Sequence, residues 1–140
     1  HFESGADYSA AEECAVGSSG EIINVTALRK VVEYFGSAPY SEYMTWYFRN
    51  NPSNFKLNIV PLPKDLLRDY RMTLDYPEDL DMFERLYCKL GDARNQFSAS
   101  EVFSILDEHP EISSINKHLT LKYRADQELI DLLDRETKIK

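Results

Sequence analysis

The sequence predicts an α/β or α+β protein, and two patterns carry that reading. In the first half, apolar residues alternate singly, at Phe55, Leu57 and Ile59 and again at Tyr70, Met72 and Leu74, which is the period of a strand. From Pro77 onward they recur at three- and four-residue steps, which is the period of a helix. Strands first and helices afterwards give a small sheet with helices packed on it.

The elements follow in order. Residues 5–11 form a short extended piece, and Gly17 and Gly20 mark 16–21 as a turn. Asn24 is placed to cap a helix whose stripe is Val25, Leu28, Val31, Val32 and Phe35, with Gly36 ending it. Met44, Tyr47 and Phe48 have helical spacing, Ser41 can cap them, and Asn50-Asn51-Pro52 stops the run. A strand over 55–63 is closed by Pro61 and Pro63, and a second is expected over 69–75. Pro77 suits the first turn of the next helix, and Glu78 and Asp79 favour the positive end of its dipole. Leu80, Phe83, Leu86, Tyr87 and Leu90 are the expected stripe, ended by Gly91. A helix after Ser98 or Ser100 runs through Val102, Phe103, Ile105 and Leu106 and ends before Pro110. The last helix uses Leu129, Ile130, Leu132 and Leu133.

At 140 residues the chain is the size of one domain, and 43% hydrophobic with 12% aromatic residues fits a globular protein. No apolar run approaches the ~20 residues needed to cross a bilayer, and no signal-peptide pattern stands at the start. The chain begins at His1, so a processed chain or a piece of something longer is expected. A net charge of −8 argues against a nucleic-acid backbone or an anionic membrane as partner, since both need clustered Lys and Arg. It leaves room for a small phosphate ligand bridged by a divalent cation. Cys14 and Cys88 form no CxxC pattern and read as reduced thiols in a cytoplasmic protein. His1, His109 and His118 show no zinc-like spacing.

The chemistry concentrates at the junction "RMTLDYPEDL", residues 71–80. Asp75 stands at the end of the expected strand, where open α/β sheets bind ligands, and shares a face with Arg71 and Thr73. An aspartate there can hold Mg²⁺, a hard cation that prefers oxygen. It can equally cap the helix that starts near Pro77. Local pattern leaves both open.

The wider sequence resembles the acylneuraminate cytidylyltransferase family, which includes spore coat polysaccharide biosynthesis proteins. Arg71, Thr73, Asp75, Pro77, Glu78, Asp79 and Leu80 match a segment near the C-terminus of its members. "YSEYMTWYFRNNPSNFKL" is similar to their "EHVT" segment through Glu42, Thr45, Asn51, Pro52 and Phe55, with Tyr43 in place of the usual histidine and Met44 in place of valine. Residues 5–31, with Gly17 and Glu21, resemble a glycine-containing loop and the helix after it, and "ILDEHPEISSIN" fits the polysaccharide branch.

The resemblance implies the C-terminal half of a Rossmann-like nucleotide-diphospho-sugar transferase fold, with few strands and three to four helices. It forms one partial domain over 1–140. Within it, 1–38 supplies a strand, loop and helix, 39–68 a candidate dimerisation segment, 69–91 the metal-site strand and helix, and 92–140 the C-terminal helices. The implied activity is transfer of CMP from CTP to a sugar acid of the nonulosonic type, for surface polysaccharide. Asp75 then matches an acid that binds Mg²⁺. Some members carry a second acid two positions earlier, where Thr73 stands here. Arg71 is implied as a partner of phosphate or sugar carboxylate, or else forms a surface salt bridge. Glu21 and Gly17 line the sugar pocket or lie in a solvated turn. The glycine-rich, basic nucleotide loop of the family is not matched, so no catalytic residue is assigned and the chain by itself is expected to be inactive. A homodimer, or pairing with the N-terminal half, is expected. Tyr40, Tyr43, Trp46, Tyr47, Phe48 and Phe55 are candidates for the dimer interface or for the monomer core. The alternatives are a non-catalytic oligomerisation or partner-binding module, or a glycosyltransferase of the same fold.

Overall fold

A computed structural model describes residues 1–91, 96–119 and 122–140. The expected 92–140 helical stretch therefore lies partly outside the described residues. In chain order the elements are β1 (Tyr8–Glu12), β2 (Ile22–Ile23), α1 (Val25–Phe35), α2 (Met44–Arg49), β3 (Leu57–Pro61), α3 (Pro77–Leu90), α4 (Ala99–Glu108), α5 (Pro110–Ser113), α6 (Lys122–Ala125) and α7 (Gln127–Glu136). One turn of 3₁₀ helix, Ser41–Tyr43, leads into α2, and another spans Lys64–Leu66. The class is α/β, with a three-stranded sheet in the order β2-β1-β3, and it fits a partial Rossmann-like arrangement. Among the described helices, those of ten residues or more are α1, α3, α4 and α7.

The chain divides into two compact units, 1–10 with 21–60 and 120–140, and 11–20 with 61–119. In the first, β1 pairs antiparallel with β2, Tyr8 opposite Ile23 and Ser9 opposite Ile22. The core is aromatic. Tyr8 stacks on Phe48 at 5.2 Å between ring centroids, and Phe48 meets Phe55 edge-on at 4.9 Å. Tyr47, Phe48 and Phe55 are all buried here with Ala27 and Val31, so these three aromatics belong to the core of the chain itself. Burial of each such ring is worth roughly 1.5–3 kcal/mol. Asn51, buried, ties the C-terminal segment to α2. Its Nδ2 donates to the carbonyls of Tyr47 and Thr137, and its Oδ1 accepts the N–H of Ile139.

Two local expectations change in this unit. Val25 and Val32 are exposed, and the buried stripe of α1 centres on Ala27 and Val31. Asn24 occupies the N-cap position, but its side chain makes no cap bond and donates instead to the Ala6 carbonyl. Alanine in a helix adds little to an apolar count, yet it is small enough to face a crowded ring cluster.

In the second unit α3, α4 and α5 enclose Met82, Leu86, Leu106 and Ile112, with Tyr70, Met72, Phe83 and Leu90 packed around them. Leu80 and Tyr87, expected on the buried stripe, are exposed, and Asp79 and Met82 take the inner face instead. The expected strand over 69–75 is also different. Only Arg71 pairs, as an isolated parallel bridge to Val16. The Val16 N–H donates to the Tyr70 carbonyl at 2.9 Å, and the Met72 N–H to the Val16 carbonyl at 2.6 Å. No ladder can grow because Gly17 turns away at once with φ +83°. A strand needs a continuous partner, and the alternation at Tyr70 and Met72 reports only their packing into the core.

Candidate functional site

The junction 71–80 is built around a buried ion pair. Asp79, in the first turn of α3, has no exposed surface, and the Arg71 side chain is 7% exposed. Arg71 donates Nε to Asp79 Oδ1 at 2.9 Å and Nη2 to Asp79 Oδ2 at 3.0 Å, the two-pronged geometry in which a guanidinium binds most strongly. The same Nη2 lies 2.9 Å from Asp75 Oδ2. Asn116, beyond α5, donates to Asp79 Oδ1 at 2.8 Å and to the Arg71 carbonyl at 3.0 Å. The backbone N–H groups of Asp75 and Tyr76 both donate to Asp79 Oδ2. The Tyr76 ring lies under the guanidinium, 5.4 Å from Cζ to the ring centre.

Burial by itself would push the Asp79 carboxyl up. The Arg71 fork, the two backbone N–H groups and Asn116 outweigh it and hold Asp79 well below the usual carboxylate range. Arg71 is raised in turn, first by its bonds to Asp79. Both groups are therefore charged across the physiological range, and each is the other's counter-ion.

This geometry bears on each residue singled out by sequence. Asp75 is not the helix cap, because Tyr76 holds that position and the carboxylate reaching back to the free N–H groups is that of Asp79. The Asp75 side chain is 59% exposed and meets only the edge of Arg71. Arg71 is not a surface salt bridge, since its planar fork is buried and directed to Asp79. Gly17 is not an open turn. A Cβ there would lie 2.5 Å from the Met72 carbonyl oxygen, so the glycine permits the close approach of the loop to the Arg71 segment. Thr73 has a buried hydroxyl oxygen with no hydrogen-bond partner among the described residues.

Glu21 lies in the first unit and has a separate setting. Its Oε1 accepts from the Tyr8 hydroxyl at 2.8 Å and from the Thr45 hydroxyl. Burial pushes the Tyr8 phenol up, with the Glu21 carboxylate adding to the shift and the Thr45 hydroxyl opposing it. Glu21 and Thr45 thus meet through their side chains.

The donor set decides what a cation could use. Asp79 has both oxygens filled by N–H groups, and Thr73 brings no charge. Among the described residues no cluster of three or more His, Cys, Asp or Glu could hold a metal. One exposed carboxylate, Asp75, fits Mg²⁺ as a single ligand, since Mg²⁺ is usually held by one or two carboxylates with phosphate oxygens and waters completing the shell. A clamp of two carboxylates does not fit.

Against curated proteins, the chain is 30% identical over 116 residues to the spore coat polysaccharide biosynthesis protein SpsF of Bacillus subtilis (strain 168), covering 81% of this chain and 48% of that protein. The chain is also 29% identical over 124 residues to the uncharacterized protein MJ1063 of Methanocaldococcus jannaschii, covering 87% of this chain and 50% of that one. It spans about half the length of the curated relatives it matches. No family model matches the chain, and no solved structure matches it. Among the described residues no helix is long and apolar enough to cross a membrane.

Proposed function

We propose that the chain is the C-terminal part of a cytidylyltransferase-like enzyme that transfers CMP from CTP to a nonulosonic-type sugar acid, for surface polysaccharide, in the cytoplasm. The similarity to SpsF supports the polysaccharide role, and one observation supports the site. Asp75 is the exposed carboxylate of the junction, presented at the start of α3 beside a guanidinium whose charge is already matched by Asp79. Arg71 therefore steadies the site rather than supplying free charge to it.

In this reading a sugar hydroxyl attacks the α-phosphorus of CTP and gives its proton to solvent water, the bond from that phosphorus to the bridging oxygen breaks, and pyrophosphate leaves with the electron pair. Position and electrostatics carry such a displacement. Mg²⁺, when bound, would neutralise charge on the triphosphate, with Asp75 as its one protein ligand from this chain. The loop that wraps base and phosphates is expected from the N-terminal half of the full-length protein, with a homodimer as the working assembly.

The test is release of pyrophosphate from CTP by the full-length protein, with Mg²⁺ and a panel of nonulosonic acids. Asp75→Ala is expected to lower the rate by roughly 100-fold, the scale of losing a group that stabilises developing phosphate charge. No pyrophosphate from the unmodified protein, or an unchanged rate in the variant, overturns the reading.

A further inference from the structure

Asp79 has no part in the chemistry proposed above, yet its carboxylate is fully buried and accepts five N–H groups: Nε and Nη2 of Arg71, Nδ2 of Asn116, and the backbone amides of Asp75 and Tyr76. Two of these contacts lead to Asp75. Its own N–H is held on Asp79 Oδ2, and its carboxylate is held by the Arg71 Nη2 that also bonds Asp79 Oδ2. An exposed aspartate would ordinarily sample several rotamers. Here Asp79 holds the backbone directly, and Arg71, itself held by Asp79, holds the carboxylate.

We propose that Asp79 is a positioning residue that, through Arg71, fixes the rotamer of the Asp75 carboxylate, with Asn116 holding the Asp79–Arg71 pair in register. A ligand fixed in advance loses less side-chain freedom when a cation arrives, which is how groups behind metal ligands tune affinity. Arg71 keeps two bonds to Asp79 when it releases Asp75, so a cation can replace it there without breaking the buried pair. The functional weight of the inference rests on the metal role proposed for Asp75. The fixed rotamer itself does not.

The experiment separates the two. Three-bond couplings from the Asp75 backbone nitrogen and carbonyl carbon to its Cγ are measured in isotope-labelled protein, unmodified and as Asp79→Asn. The expected result is a single rotamer in the first and averaging in the second, with the remaining amide spectrum preserved. Averaged couplings in the unmodified protein, or unchanged couplings in the folded variant, overturn the positioning role. Should Asp79→Asn fail to fold, Arg71→Lys decides, since lysine keeps the charge but loses the fork and is expected to free Asp75. Mn²⁺ with CTP is then added. Selective broadening of the Asp75 and Tyr76 amides is expected, with roughly 10- to 100-fold more Mn²⁺ required in Asp79→Asn. No broadening in the unmodified protein overturns the metal role of Asp75 and leaves the couplings to judge the positioning. Equal Mn²⁺ dependence in the two proteins overturns the link between them.

Discussion

Replacing Asp79 by alanine isolates the energetic centre of the second unit. The change leaves the Arg71 guanidinium, 7% exposed, with only the edge contact to Asp75 as counter-charge. It also strips the acceptor from the backbone N–H groups of Asp75 and Tyr76 and from Asn116. Removing one partner of a buried pair typically costs about 3–5 kcal/mol, because the other charge is stranded. Asp75 and the Tyr76 ring compensate part of that charge, so about 3 kcal/mol is expected. That is a large share of the roughly 5–15 kcal/mol that stabilises a typical domain. Urea unfolding followed by far-ultraviolet circular dichroism reads the change as a midpoint lowered by about 1–3 M. Hydrogen exchange at the Met82 and Leu86 amides reports α3 directly. Asp75→Ala is the control: its pair with Arg71 is half exposed and is worth about 0–1 kcal/mol. Acidity gives a second reading. The Asp79 carboxyl is depressed in the folded state, so its contribution is present above the ordinary carboxylate pKa of about 4 and is lost as pH falls toward the folded value. The stability gap between unmodified protein and Asp79→Ala should therefore be full at neutral pH and narrow in acid below about pH 4. A cost for Asp79→Ala no larger than that for Asp75→Ala, or a gap that does not change with acidity, would refute the buried pair.

Two further substitutions test the packing beside it. Gly17→Ala is expected to destabilise the protein by about 2 kcal/mol or more, because φ is +83° and the new Cβ meets the Met72 carbonyl oxygen at 2.5 Å. Gly20→Ala, with nothing within 4 Å, should leave the urea midpoint unchanged, and equal behaviour of the two would count against the close approach. Thr73→Val removes a buried hydroxyl that has no partner among the described residues and is expected to be neutral or to stabilise by up to about 1 kcal/mol in thermal unfolding. A loss above about 1 kcal/mol would mean that the hydroxyl is bonded in solution.

The parts of the fold that were legible in the sequence are those governed by local rules. Gly36 and Gly91 end their helices, Ser98 caps α4 through its bond from the Glu101 N–H, and Pro77 opens α3, each a property of the residue and its immediate neighbours. What escaped depends on partners distant in sequence. The 69–75 segment alternates like a strand, but whether it forms a ladder is decided by the loop around Gly17, more than fifty residues earlier. The candidate site divides in the same way. Asp75 could be singled out because a short sequence pattern points to it, and the structure leaves its side chain exposed. In the sequence Asp79 is one more acid in the first turn of a helix. Its larger role needs Arg71 eight residues before it and Asn116 thirty-seven after it. Period-two alternation puts Arg71 on the face opposite Tyr70 and Met72, so its burial was not legible; once the structure buries it, its guanidinium requires a counter-charge. The acids within reach along the chain were Asp75, Glu78 and Asp79, and only Asp79 lies on the inward face of α3 with Met82 and Leu86. Charge balance in a low-dielectric interior, rather than the motif, is what selects it.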